Sequence, residues 1–166
     1  RCKEGGYKWL AWTSTPVVED GRLYAVARDI SDRKRTEQAL RDSERRTRLI
    51  VETALDAFLA MDSQGRIIDW NARAEEIFGW PRDEALGRPL DETVLPPRYR
   101  EIFQMGLKQF LATGEGRLMR DRFEMTALHR DGREFPVEYT ISPVKLEGEY
   151  IFSAFVQEEF TVTEDF

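Results

Sequence analysis

One histidine, one cysteine and the adjacent glutamates on the first core helix are the side chains of this 166-residue chain whose rarity or spacing invites a catalytic reading. His129 would have to anchor a Ser/His/Asp triad or a metal site alone, because no second histidine exists to complete a two-histidine motif. It stands in L-H-R-D-G, at a strand end just before a turn, where an exposed, structural side chain is expected. A phosphoacceptor histidine would sit on a helix instead. Cys2 has no partner for an internal disulfide, and no Cys/His spacing suggests zinc, so no metal site is assigned. Glu75 and Glu76 resemble an acid–base pair, but neighbours on a helix point about 100° apart, which reads as a solvated face. No Gly-rich phosphate loop, G-x-S-x-G elbow or kinase motif occurs. No catalytic residue is assigned, and an enzyme is the least supported reading.

The composition narrows the partners. A formal net charge of −6 disfavours broad binding to nucleic acid or anionic membranes, since both repel net negative charge. Hydrophobic residues at 41% and aromatics at 11% argue against wholesale disorder. No apolar run approaches the ~20 residues a membrane helix needs, and residues 1–6 do not lead into a signal peptide. The chain begins without Met. The expectation is a soluble, cytoplasmic excerpt holding one full domain and a fragment.

An internal repeat sets the boundaries. Gly5, Pro16 and Gly21 recur as Gly132, Pro143 and Gly148, and Trp12 and Val17 fall on Tyr139 and Val144. Both copies read as two strands joined by a turn. Residues 1–30 thus look like the closing hairpin of one domain and residues 54–157 like a complete copy, with an acidic tail over 158–166. An isolated two-stranded ribbon is marginal in water, so the first hairpin must lean on something else. Between the copies, residues 32–53 lack Gly and Pro and begin at plausible N-caps, Ser31 or Asp32, which predicts a connector helix. Thr36, Leu40, Ser43, Thr47, Ile50 and Ala54 follow the 4-3 spacing of a coiled-coil seam, half of it small and polar. A solvated connector and a dimerising helix that carries a signal both fit. Interspersed Glu and Asp argue against a nucleic-acid helix.

In the complete copy, residues 57–61 and 66–70 read as short strands around a turn ending in Gly65. Asn71 sits at the N-cap of a helix over 72–78 that stops at Gly79. Pro81 starts a short helical turn closed by Gly87. A longer helix over 98–112 carries Tyr99, Ile102, Phe103, Leu107, Phe110 and Leu111 on one broad stripe. Strands follow over 122–129, 134–145 and 150–157, with hairpin turns at Asp131-Gly132 and Gly148. Strand-strand, helices, then three strands is an α+β order, an antiparallel sheet with its helices on one face.

Three segments carry a family likeness: D-W-N-A-R-A-E-E-I-F-G-W-P-R-D-E-A-L-G-R-P-L, then R-D-G-R-E-F-P-V-E-Y-T-I-S-P-V, and upstream R-D-I-S-D-R-K-R-T-E-Q-A-L. In series they resemble the PAS sensor family, the last resembling its exit motif into a connector helix. The resemblance implies a five-stranded antiparallel sheet in order 2-1-5-4-3 cupping helices over a cavity. Phe78, Phe103, Leu107, Phe123, Met125, Tyr139, Ile141, Phe152 and Ala154 would face that cavity, with Asn71 capping the first core helix. It further implies a homodimer through the linker helix (Leu40, Thr47, Ile50, Ala54) and the sheet, and a downstream output domain such as a histidine kinase or cyclase. One departure stands out: Asp29-Ile30-Ser31 supplies the expected exit in the first copy, whereas the second runs from Val156 into Gln157 and Glu158.

The same likeness bears on cofactors. Haem-binding members take a histidine about seven residues before an aromatic near the end of the long helix, and that count from Phe110 reaches Phe103. Phe123 stands where oxygen-sensing members place an arginine. Haem is therefore disfavoured. A flavin adduct needs a cysteine inside the copy, and Cys2 lies outside it. Non-covalent flavin or a small apolar metabolite stays open beside a simple filled core. The expected function is a non-catalytic sensor or dimerisation module in signal transduction, with a small-ligand receptor as the alternative.

Overall fold

The computed structural model describes residues 5–17, 21–116 and 122–158. The contact pattern divides the chain into two compact units, Arg1–Leu49 and Ile50–Phe166. Cys2 and residues 159–166 of the acidic tail lie outside the described residues.

In the first unit, strands β1 (Leu10–Val17) and β2 (Arg22–Asp29) pair antiparallel with Trp12 opposite Ala27. Helix α1 (Ser31–Glu52) follows after a single residue and buries none of its side chains. Its start is fixed by side chains standing in for missing backbone partners. The Ser31 amide donates to Asp29 Oδ1 at 3.0 Å, and Ser31 Oγ accepts from the Trp9 amide at 2.9 Å. Lys8 Nζ completes the junction 2.8 Å from Asp29 Oδ2. The hydrogen bonds from Lys8 and Ser31 hold the Asp29 carboxyl well below the usual carboxylate range. Ala54 lies past the end of α1, so the last position of the expected seam is not helical.

The second unit is a five-stranded antiparallel sheet with helices gathered on one face. Its strands are β3 (Ala57–Met61), β4 (Ile67–Trp70), β5 (Arg122–Leu128), β6 (Glu134–Leu146) and β7 (Glu149–Glu158), in the order β4-β3-β7-β6-β5. Counted from the first strand of this copy, that is 2-1-5-4-3. Alternation works as the pleat demands: Val137, Phe152, Ala154 and Val156 turn to the helices while Glu138, Phe155 and Gln157 turn away. The β6–β7 turn uses two positive-φ residues, Glu147 at 50° and Gly148 at 92°, the backbone of a two-residue hairpin.

Helix α2 (Ala72–Phe78) ends at Gly79 with φ 75°. Two short helices follow, α3 (Arg82–Ala85) and α4 (Leu90–Val94), before the long α5 (Pro97–Thr113). Sequence alone gives no helix at α4. A Pro89 start and a Thr93 hydroxyl donating to the Pro89 carbonyl at 2.7 Å define it. Of the stripe expected on α5, Phe110 is buried, Tyr99, Phe103 and Leu107 are half-buried, and Ile102 and Leu111 are exposed. Those two sit at the flanks of the stripe, about 80–100° from its centre, where the helix turns back to solvent.

The core is an aromatic chain laid across the sheet. Trp70 and Phe78 approach at 5.3 Å between ring centroids, Phe78 and Phe135 at 5.9 Å, and Phe110 and Phe152 at 5.3 Å. Phe78 is fully enclosed between the first and third of these rings. Phe78→Ala is expected to lower stability by about 3–5 kcal/mol, measured by urea unfolding.

Candidate functional site

Asn71 sits between β4 and α2 with no exposed surface. Its side chain is a full amide with four neighbours. Oδ1 accepts from the Ala74 amide at 2.9 Å, the expected N-cap bond, and from the Phe58 amide at 2.9 Å. Nδ2 donates to the Val51 carbonyl at 2.9 Å and the Asp56 carbonyl at 3.1 Å. One side chain therefore ties the end of α1, the strand β3 and the start of α2 together. Only Asn or Gln offers two donors and two acceptors on one group, and Asn does so at N-cap length.

A second tie runs beside it. Glu52, the last residue of α1, accepts from the Ala72 amide at 3.0 Å, placing a carboxylate at the positive end of α2. Arg82 of α3 lies 3.9 Å from the other oxygen of Glu52 and 2.7 Å from Asp69, and it also donates to the Trp70 carbonyl. Sequence reasoning assigns Asn71 its cap and misses Glu52, Arg82 and the Val51 bond. Nothing in the local pattern marks a helix-end carboxylate as the partner of residues twenty to thirty positions away.

The nine residues expected over a cavity separate into two groups and one outlier. Phe78, Phe152 and Ala154 are buried in the packed core. Phe103, Leu107, Met125, Tyr139 and Ile141 are half-buried against it. Phe123 stands further out, its ring tilted against Tyr139 with centroids 6.0 Å apart. Burial pushes the Tyr139 phenol above its ordinary value. The linker residues Leu40, Thr47 and Ile50 are exposed on α1.

His129 departs from its expected surface role. Its side chain is only 18% exposed. Gly79 has no side chain, and the ring packs directly over it, while Nδ1 lies 2.9 Å from Asp131 Oδ1. The left-handed Gly79 backbone creates the space that draws the ring in. Glu75 and Glu76 do not form a dyad. Glu75 accepts from the Arg82 amide and Glu76 pairs with Arg73. Among the described residues, no three His, Cys, Asp or Glu side chains are arranged to hold a metal ion. Nor, among the described residues, is any helix long and apolar enough to cross a membrane.

The model of the PAS fold matches residues 45–157, which takes in this sheet, its helices and the end of α1. The chain belongs to the PAS family. The PAS domain of an HTR-like protein from Haloarcula marismortui superposes with a TM-score of 0.63 at 29% identity, covering 76% of this chain and 99% of that one. An uncharacterized protein of Azorhizobium caulinodans is 36% identical over 147 residues, 89% of this chain and 20% of that protein. Sensor protein FixL of Bradyrhizobium diazoefficiens is 29% identical over 136 residues, 82% of this chain and 27% of that protein. The chain thus spans between a fifth and about a quarter of the length of these two relatives. FixL bears the name of a sensor protein, and that title describes FixL.

Two measurements test the site. Asn71→Ala leaves the Phe58 and Ala74 donors and two carbonyls without their partner, and is expected to lower stability by about 3 kcal/mol or more, read by urea unfolding. Tyr139 gives a pH signature. A raised folded value means its contribution is whole below about pH 10 and lost as pH rises through that folded value. Stability should therefore fall more steeply above about pH 10 in the natural chain than in Tyr139→Phe.

Proposed function

We propose that the PAS copy is a non-catalytic regulatory module that relays the state of its interior to the connector helix α1. The observation that carries this reading is the Asn71 amide, which bonds the last turn of α1 and the core strand β3 at once. A change in packing beneath α2 alters the position of that amide, and with it the anchorage of α1. On this reading the module acts in the cytoplasm as a homodimer through Leu40, Thr47 and Ile50, with the outer face of the sheet contributing, and works ahead of an output domain.

The first hairpin fits the same scheme as the closing ribbon of an upstream PAS copy. Leu10, Trp12 and Leu23 are all exposed on one face, and their repeat counterparts Val137, Tyr139 and Tyr150 turn towards the core of the complete copy. Residues 31–53 then serve as the connector and 54–157 as the second copy.

A second reading, a receptor for a small apolar metabolite or non-covalent flavin, is favoured by the half-buried set around Phe103, Leu107 and Tyr139. Haem does not fit those residues, because Phe103 offers iron no ligand. E. coli DosP, 26% identical over 144 residues, bears the name of an oxygen sensor, and that title describes DosP alone.

The experiment that tests the relay is the pair L40D/I50D in the full-length protein. Loss of dimerisation together with a changed output is expected. Unchanged dimerisation and output would overturn the reading, and a bound small molecule seen by native mass spectrometry would favour the receptor.

A further inference from the structure

A groove of about 560 Å³ opens in the second unit where the end of α1, the start of α2 and the end of β7 meet. Its wall carries Glu52, Asp56, Glu76 and Glu158 against a single arginine, Arg73. Leu55 and Ile77 supply apolar lining, and Leu55 is 90% exposed. Glu76 pairs with Arg73 yet keeps 65% of its side chain in solvent.

The matching charge lies on the connector. In the first turns of α1, Arg33 and Lys34 pair with Glu37, and Arg35 pairs with Asp32. Further along, Arg41, Arg45, Arg46 and Arg48 have no ion-pair partner among the described residues. At about 100° per residue, Arg41, Arg45 and Arg48 form one stripe, while Leu40, Thr47 and Ile50 lie on the far side of the helix. A straight helix holds Arg45 roughly 10 Å along the axis from its own Glu52. Arg48 stands one turn before Glu52 on the same face and can meet it within the chain, whereas Arg45 and Arg41, two and three turns back, are open to the groove of another molecule.

We propose that the groove docks the arginine stripe of α1 from a second copy of this chain, giving a dimer held by charge. This rests on the regulatory reading above and supplies one of the two packings that a relay through α1 requires, the other being the apolar seam. The two faces of α1 cannot both be turned to the same neighbour, so the packings exclude one another. Exposed pairs are weak one by one, but several carboxylates facing these arginines act as a network, and its signature is sensitivity to salt.

The test uses the whole chain carrying Cys2→Ser. Sedimentation should show the dimer weakening roughly tenfold as ionic strength rises from about 0.05 M to about 0.5 M. Arg45→Glu or Glu76→Lys alone should weaken it at low salt by a similar factor, and R45E/E76K together should restore it. Oxidation should cross-link R45C/E76C chains into covalent dimers, less so at high salt. A dimer indifferent to salt, cross-linked by L40C and not by R45C/E76C, would overturn the docking and leave the seam relay standing. A monomer at every salt concentration, with full-length output unaffected by L40D/I50D, would overturn both.

Discussion

A single buried amide governs how this molecule is put together. Asn71 has no access to water, so each of its four hydrogen-bonding positions must find a protein partner or cost free energy. Satisfying them places three chain segments within bonding distance: the last turn of the connector, the first strand of the sheet and the first turn of the core helix. The helix that follows can then direct Ile77 and Phe78 into the aromatic chain, and the sheet closes beneath it. Glu52 and Arg82 reinforce the arrangement at the surface, where solvent weakens each contact. The division of labour is physical: the enclosed amide specifies, and the exposed charges support.

The connector shows the opposite design. With no buried side chain over 22 residues, it takes little from the packing that supplies most helical stability in proteins. It is held at its ends, by Asp29 and Ser31 at the start and by Asn71 at the finish. A rod fixed at its ends and free along its length is suited to changing neighbours without unfolding.

Much of this was legible in the residues. The 127-residue offset that brings Pro16 onto Pro143, the alternation from Phe135 to Ile141, and Asn71 ahead of a short apolar helix were enough for the sheet, its hairpins and the cap. Local signals fail where an element depends on distant partners. The α4 turn forms between Pro89 and Leu95 with Asp91 buried and held by Gln104, thirteen residues on. The apolar stripe of α5 overstated its own burial because sequence shows which residues are apolar, not how wide a groove the sheet provides. The connector's tie to the core escaped for the same reason, since Val51 contributes a carbonyl, and a carbonyl has no sequence signature. Residues 54–157 were a natural domain by pattern, while the compact unit begins a few residues earlier, at Ile50.

The packing of His129 over Gly79 has a consequence for descent. Any β-carbon at position 79 would collide with the imidazole, and its left-handed backbone already disfavours one. Neither position can change size freely while the other stays as it is. Lineages that lose the glycine must shrink or swing out the ring, and those that lose the ring inherit a hole at the end of the first core helix. Two residues fifty positions apart are thereby bound to a shared history, for reasons of volume alone.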